Sequence, residues 1–462
     1  MFQLFGERWS VGKLGRTWQA GTARATVPKS ATLPEKASEM NGFGLSRERF
    51  ALLYSVMLVA AAGNTAMQSL LPAIGRDLGV ADIWVAVAFS LSALVWVAMA
   101  PVWAHRADRR GRRALMRLGL AGFIVSMLIC GGALAAGLAG FAGGMTVFAI
   151  FMLGRTAYGA FGSASPPAVQ AYIAARTEGA ERTSALAALA SSFGLGTIIG
   201  PAIAPLFIFP PLGLAAPLIA FAGIGALVLA ALALRLPDDT PKRDARGPIV
   251  AYPTLGGGDA PAPLEEHGPG RLRWRDPRVL PWHVVGIVGG HGQAVLLGVI
   301  GFLVIDRLEL PLDHAQQWIA IVLMAGAAAS LLAQWWLIPQ LGLSPRQLIL
   351  WGSLLAAAGA AVTGLAGGVY ALTMGFALAS LGFGLFRPGF TSGASLAVAL
   401  DEQNAVAGQV TSVNGVAFVA GPALGIALYG WSLALPFLAT AMLMFGLAAW
   451  TALRFRTSAP LG

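Results

Sequence analysis

Five stretches of the chain, 50–73, 84–104, 115–138, 284–305 and 433–453, run almost without a charged residue. Each is close to the roughly 20 residues a helix needs to cross about 30 Å of hydrocarbon. A water-soluble fold cannot hide so many runs of that length. The whole chain of 462 residues is 56% hydrophobic and only 11% charged, against about 25% charged in ordinary soluble domains. A soluble protein of this composition lacks the polar residues to cover its surface, and a bilayer removes that need. Barrel strands would read as short alternating segments instead. The 59 glycines suit helices that approach closely in lipid.

Hydropathy and turn residues predict twelve membrane helices, at 49–73, 82–104, 114–138, 143–174, 183–208, 213–235, 281–305, 316–338, 346–366, 368–400, 404–429 and 433–454. Between the sixth and seventh, residues 236–280 are rich in Pro, Gly, Asp and Arg and predict a cytoplasmic linker. The expected organisation is a tail at 1–46, one six-helix half at 47–235, the linker, a second half at 281–456 and a tail at 457–462. An offset of 221 places Pro167 on Pro388, Glu181 on Glu402, Ser191 on Ser412, Gly194 on Gly415 and Gly200-Pro201 on Gly421-Pro422. Six helices separate the copies, so the two halves share one orientation, as in transporters built from parallel repeats.

The net charge of +10 suggests nucleic acid until its placement is considered. With the N-terminus inside, the outer loops hold only Arg76 and Arg307 among the basic residues. Arg155 and Arg387 fall within helices, and the other lysines and arginines lie on the inner side or at its boundary. That asymmetry predicts both termini in the cytoplasm and contact with anionic inner-leaflet lipid, with no nucleic-acid partner. The single cysteine, Cys130, excludes an intramolecular disulfide. Residues 1–46 do not read as a secretory signal. They fit a cytoplasmic tail with an amphipathic start around 2–18, or a misplaced start codon. Arginine exceeds lysine, and Ala and Gly are abundant, which points to a GC-rich bacterium and its inner membrane.

Three motifs carry a family resemblance. Between the second and third helices the chain reads Ala104-His-Arg-Ala-Asp108-Arg109-Arg110-Gly111-Arg112-Arg113. This resembles the signature loop of the major facilitator superfamily, with Ala104 where the family has Gly. The resemblance implies an inner-face conformational latch made by Asp108, Arg109, Gly111, Arg112 and Arg113. The fourth helix, Gly154-Arg155-Thr-Ala-Tyr158-Gly159, resembles the family's second motif, whose arginine is tied to proton movement. The fifth helix carries Gly196-Thr-Ile-Ile-Gly200-Pro201, similar to the kinked Gly-Pro motif of the antiporter branches. Its closing Gly-Gly pair is replaced by Ala204-Pro205. Gly421-Pro422 repeats it in the second half. The resemblance spans 47–456 and implies an all-α membrane fold of two pseudo-symmetric six-helix bundles. It points toward the drug and siderophore proton antiporters, and it implies a monomer, as most relatives are.

Polar residues inside the expected helices outline a substrate site: Asn64, Gln68, Arg155, Tyr158, His291, Gln293, Arg387 and Asn414. An arginine at the membrane centre costs several kcal/mol unless it faces a wet cavity or a partner. No Asp or Glu lies well inside any expected helix, so a cavity holding Arg155 and Arg387 would favour an anionic cargo, a siderophore being one example. The two arginines either grip one extended anion or act as gates. Arg155 and His291 are the coupling candidates, His291 because its unperturbed pKa lies near 6.5; Asp108 and Asp306 at the helix boundaries are the other titratable candidates, and a neutral, hydrogen-bonding His291 is the other reading. No metal site, cofactor motif, metalloprotease motif, nucleophile elbow or nucleotide-phosphate loop is present, which argues against an enzyme. The expectation is an exporter of a small organic molecule by proton antiport. The alternative is an organic-anion uptake symporter or facilitator.

Overall fold

The computed structural model describes residues 46–174, 176, 179–210, 212–237, 272–309, 311–398 and 402–454. The expected tails and most of the expected linker lie outside the described residues. α1 (Arg47–Asp77), α2 (Asp82–Arg110) and α3 (Arg112–Leu138) form the first three crossings. The fourth crossing is α4 (Gly144–Ala157), a π-helical turn (Tyr158–Gly162) and α5 (Ser165–Ala174). α6 (Gly179–Ile203) ends in a 3₁₀ turn (Ala204–Phe207) and is followed by α7 (Ala216–Arg235). The second half holds α8 (Leu280–Leu308), then α9 (Leu312–Leu332) with a π-helical turn (Ala333–Leu337) and α10 (Ile338–Leu341). α11 (Pro345–Leu365), α12 (Val369–Leu396), α13 (Gln403–Tyr429) and α14 (Leu435–Arg454) complete it.

Eleven spans among the described residues are long and apolar enough to cross a membrane, and α6 adds a shorter apolar stretch, Gly194–Phe207. Large apolar side chains such as Leu153, Leu227, Leu234 and Met374 are well exposed around the bundle. Exposed apolar area on this scale identifies a lipid-facing surface. The chain is therefore an all-α, multi-pass membrane protein.

The repeat seen in the sequence recurs in the packing. α1 packs on α6 and α8 on α13; α3 packs on α7 and α11 on α14. Gly196 and Gly200 make the α1–α6 contact: a Cβ at Gly200 would collide with the carbonyl oxygen of Ala62 and with Thr65 Oγ1. Gly421 does the same in the second half, where a Cβ would run into Ala294 of α8. Pro201 and Pro422 lie inside α6 and α13. The Gly-Pro stretches thus bring two helix backbones together in each half.

A second repeated device joins helix ends. Arg113, at the start of α3, donates from Nη2 to the carbonyl of Ala233 near the end of α7. Arg346, at the start of α11, donates to the carbonyl of Ala452 near the end of α14 at 3.1 Å. Each arginine satisfies a carbonyl that the helix end leaves without an intrahelical donor.

Two expectations need correction. The composition of the signature stretch predicts a loop from 105, but α2 continues through Arg110 and α3 starts at Arg112. Gly111 alone breaks the helix, with φ 82 and ψ 145, a conformation open essentially to glycine only. Hydropathy predicts an unbroken fourth helix, but that crossing carries a π-helical turn at Tyr158–Gly162. The extra residue in that turn frees carbonyls from the α-helical pattern, and α2 supplies donors. Ser92 Oγ reaches Arg155 O at 3.0 Å and Trp103 Nε1 reaches Ala160 O.

Candidate functional site

A cavity lies between the halves, lined by Gln68 and Pro72 of α1, Val85, Ala86 and Phe89 of α2, and residues of α8, α9 and α13. It encloses about 740 Å³ of atom-free space, its open side included. At 1.5 Å per residue, Phe89 and Gln68 lie about 10–15 Å below the ends of α1 and α2, near mid-membrane. Phe89, Phe302, Phe418, Leu297, Ile319 and Leu323 give it an apolar wall, and Gln68 is the polar side chain among its lining residues.

Arg155 stands behind this wall. It is fully buried, and its Nη2 donates to Asn64 Oδ1 at 3.1 Å. Its guanidinium lies 5.2 Å from the Phe89 ring centre and 5.1 Å from that of Tyr158. Aromatic faces stabilise a cation at these distances. Asn64 lies one helical turn from Gln68 on α1, and the Phe89 ring stands between the guanidinium and the cavity. Tyr158 packs on Trp96 and Phe123, with ring centres 5.3 and 6.0 Å away. It lines a separate small pocket inside the first half.

The remaining expected site residues are dispersed. Gln293 lines a different pocket with Gly326, Phe376 and Ser380. His291 sits with Nδ1 2.7 Å from the carbonyl of Ile287, one turn back on α8, and is outside the central lining. Asn414 is half-buried on α13, where the adjacent Gly415 faces Val97 of α2. Arg387 is buried on α12, eighteen residues from that helix's start at Val369. Neither it nor Arg155 is among the residues that line the central cavity. Of the latch residues, Gly111 supplies the helix break, Arg112 is buried and Arg113 caps α7. The side chains of Asp108 and Arg109 lie outside what is described.

Sequence reasoning named Asp306 as a boundary acid but missed the ionic group that it joins. At the ends of α1, α2, α8 and α13, Arg76 pairs with Asp82 through two contacts of 2.5 and 2.6 Å. It also pairs with Asp306 through two contacts of 3.1 Å. Tyr429 donates its hydroxyl to Asp306 Oδ2 at 2.7 Å, and the Arg76 guanidinium lies 5.6 Å from the Phe302 ring centre. Arg307 donates to the carbonyl of Gly364 near the end of α11 at 3.0 Å. Arg76 and Arg307 are the two basic residues expected on outer loops, so the available signal was their departure from the charge asymmetry. Below the Arg76–Asp306 pair, Gly301 abuts Pro72, and Gln316 Nε2 reaches Ser69 Oγ at 3.5 Å. The Arg76–Asp306, Pro72–Gly301 and Ser69–Gln316 contacts join the two halves. Together they close the cavity toward the Arg76 face, opposite the face that carries Gly111.

Among the described residues, no group of three His, Cys, Asp or Glu side chains is arranged to hold a metal.

Solved transporters share this architecture. The human organic anion transporter MFSD10 is 17% identical with a TM-score of 0.59, over 88% of this chain and 100% of that one. The nucleoside transporter NupG, solved as a mutant, is 11% identical with a TM-score of 0.65, over 88% and 100%. A bacterial homologue of the human lysosomal transporter Spinster, in an inward-facing and unoccupied conformation, is 12% identical with a TM-score of 0.66, over 87% and 95%. At these identities the likeness is one of fold. No curated protein matches the sequence. The sequence profile of the Major Facilitator Superfamily matches residues 53–343, and the chain is a member of that superfamily of transporters.

Proposed function

We propose that this transporter exports a small organic anion across a bacterial inner membrane in exchange for protons, working as a monomer with both termini in the cytoplasm. The cavity between the halves carries the proposal. It is closed toward the Arg76 face by contacts between the halves, and Arg155, bonded to Asn64, lies immediately behind the Phe89 ring of its wall. A buried arginine makes the potential at that wall positive, while Phe89, Phe302 and Phe418 offer apolar surface. The pair suits a cargo with an apolar body and an anionic or strongly polar group. The Gly196–Gly200-Pro201 stretch supports exchange, since it resembles the antiporter motif. Arginine at the Gly111 face supports that face as cytoplasmic. Opening the two faces in turn by rocking the halves is the alternating access that parallel-repeat transporters use.

The test is proton movement in everted membrane vesicles energised to an acid interior, followed with a fluorescent pH probe. Lipophilic organic anions are expected to release protons, and Arg155→Ala is expected to abolish the release. Release by lipophilic cations alone would overturn the anionic cargo. No release by any compound, with accumulation of anions in right-side-out vesicles instead, would favour the uptake alternative.

A further inference from the structure

We propose that Phe89 sets which anions the central cavity takes: its ring, held against Arg155, favours an organic anion whose charge is spread over a conjugated system over a compact, strongly hydrated one. The inference rests on reading the central cavity as the site of an organic anion, and it names the class of anion.

Two rings of the cavity wall are backed by arginines. The Arg155 guanidinium lies 5.2 Å from the centre of the Phe89 ring, and the Arg76 guanidinium lies 5.6 Å from the centre of the Phe302 ring. Phe89 and Phe302 both line the cavity, and neither arginine does. The two arginines differ in their surroundings. Arg76 stands between the carboxylates of Asp82 and Asp306, so the charge behind Phe302 is balanced. Arg155 donates to a neutral amide, that of Asn64. Every Asp and Glu in the described helices is among the first or last three residues of its helix, whereas Arg155 is the twelfth residue of the crossing that starts at Gly144. Positive potential is therefore concentrated behind Phe89.

A ring with a guanidinium over one face shows its edge or its other face to the cavity. The edge is the positive part of the aromatic quadrupole, and a cation over the far face draws π density away from the near one. Either way the surface that Phe89 offers is electron-poor. It attracts an electron-rich partner but gives it no N–H or O–H. A compact anion such as a phosphate leaves a strong hydration shell behind when it enters. Gln68 is the polar side chain of the lining, and one amide does not replace that shell. A conjugated anion carries less charge per atom and is weakly hydrated. Its flat body can also stack on Phe89, Phe302 or Phe418.

Calorimetric titration of the purified full-length transporter in detergent, with uptake by empty micelles subtracted, tests this with three probes built on one benzene ring. Picrate is a conjugated monoanion, benzyl phosphate a compact anion and benzyltrimethylammonium a cation. The parent is expected to bind picrate at least about 10-fold more tightly than either of the others, the ratio that a modest unreplaced desolvation cost produces. Phe89→Leu, which keeps an apolar side chain, should weaken picrate by about 2- to 10-fold, the ratio equivalent to an aromatic pair. Phe89→Tyr should bind picrate like the parent. Phe89→Ala should bind benzyl phosphate more tightly than the parent does, because it opens the wall in front of Arg155. Benzyl phosphate binding to the parent as tightly as picrate would overturn the proposal and leave the anionic-cargo reading standing. Parent-like picrate binding by both Phe89→Leu and Phe89→Ala, or an equal loss in Phe89→Leu and Phe89→Tyr, would also overturn it. Tightest binding of benzyltrimethylammonium would overturn the anionic-cargo reading and this inference with it. The expected picrate selection without proton release in vesicles would remove the antiport reading and leave selection by Phe89 in place.

Discussion

Arg155 donates to Asn64 across two helices at 3.1 Å, with both side chains fully buried. The pair fixes a positive charge at mid-membrane depth on α4 and ties it to α1, the helix whose end carries Arg76. A change at the guanidinium therefore reaches a helix that takes part in the closure. Hydrogen bonds to charged groups contribute about 1.5–3 kcal/mol, so Asn64→Leu should lower stability by that amount, read as a lower thermal midpoint in detergent. Arg155→Lys should also lose cargo-driven proton release, because an ammonium cannot reproduce the planar fork between Asn64 and the rings. Parent-like release from Arg155→Lys would show that only a point charge is needed there.

Helix approach gives a second expectation. Gly200→Val and Gly421→Val place side-chain atoms where α1 and α8 backbone or side chains already stand. Overpacking costs about 1–3 kcal/mol where neighbours can shift, and more against backbone. Both variants should yield little folded protein by size-exclusion chromatography. Gly223→Val, on α7 with nothing within 4 Å of a new Cβ, should elute like the parent.

Gly111 tests the helix break. At φ 82 and ψ 145 a side chain is strained by about 1–3 kcal/mol. Gly111→Ala should lower the thermal midpoint accordingly and slow transport, since Gly111 is the single residue that joins α2 to α3. An unchanged midpoint would mean that the backbone readily takes another conformation.

The segment before α8 predicts a pH dependence. Arg278 hydrogen-bonds the Asp276 side chain and holds its carboxyl down at about 2. The same guanidinium contacts both Glu402 oxygens at 2.8 Å, and Gln409 Nε2 donates to Leu272 O at 2.9 Å. The Asp276 pKa is lower folded than unfolded, so its contribution is complete above about pH 4. It is lost as the pH falls from there through about 2. Hydrogen exchange across 272–279 should therefore be slow and flat from pH 5 upward, after correction for intrinsic rates, and accelerate below pH 4. Arg278→Ala should be fast throughout.

The apolar runs make the helices legible in the sequence, because length and hydropathy are properties of one segment. The repeat is legible for a related reason. Gly200-Pro201 and Gly421-Pro422 recur where each half needs a close helix approach, and close approach restricts residue type. Relationships among distant residues are not legible. Arg76, Asp82, Asp306 and Tyr429 come from four helix ends, and each alone reads as an ordinary loop or boundary residue. Expected depth collects the polar residues of the helices, but depth does not fix direction around the helix. Gln68 therefore faces the central cavity while Gln293 faces a separate pocket. The signature stretch reads as a loop because charges and glycine resemble loop composition, yet a charged run continues a helix readily once it leaves the hydrocarbon.

The central claim is that the two faces open in alternation, and paired spin-label distances test it most directly. One pair, Ile83→Cys with Trp431→Cys, reports across the Arg76 face. The other, Ala114→Cys with Gln340→Cys, reports across the Gly111 face. All four positions are exposed, and the native Cys130 is replaced by Ala. Acidification and addition of a transported anion are expected to shift the two distance distributions in opposite directions, one lengthening as the other shortens. Distances that stay fixed, or that lengthen together, would contradict alternating access in this chain.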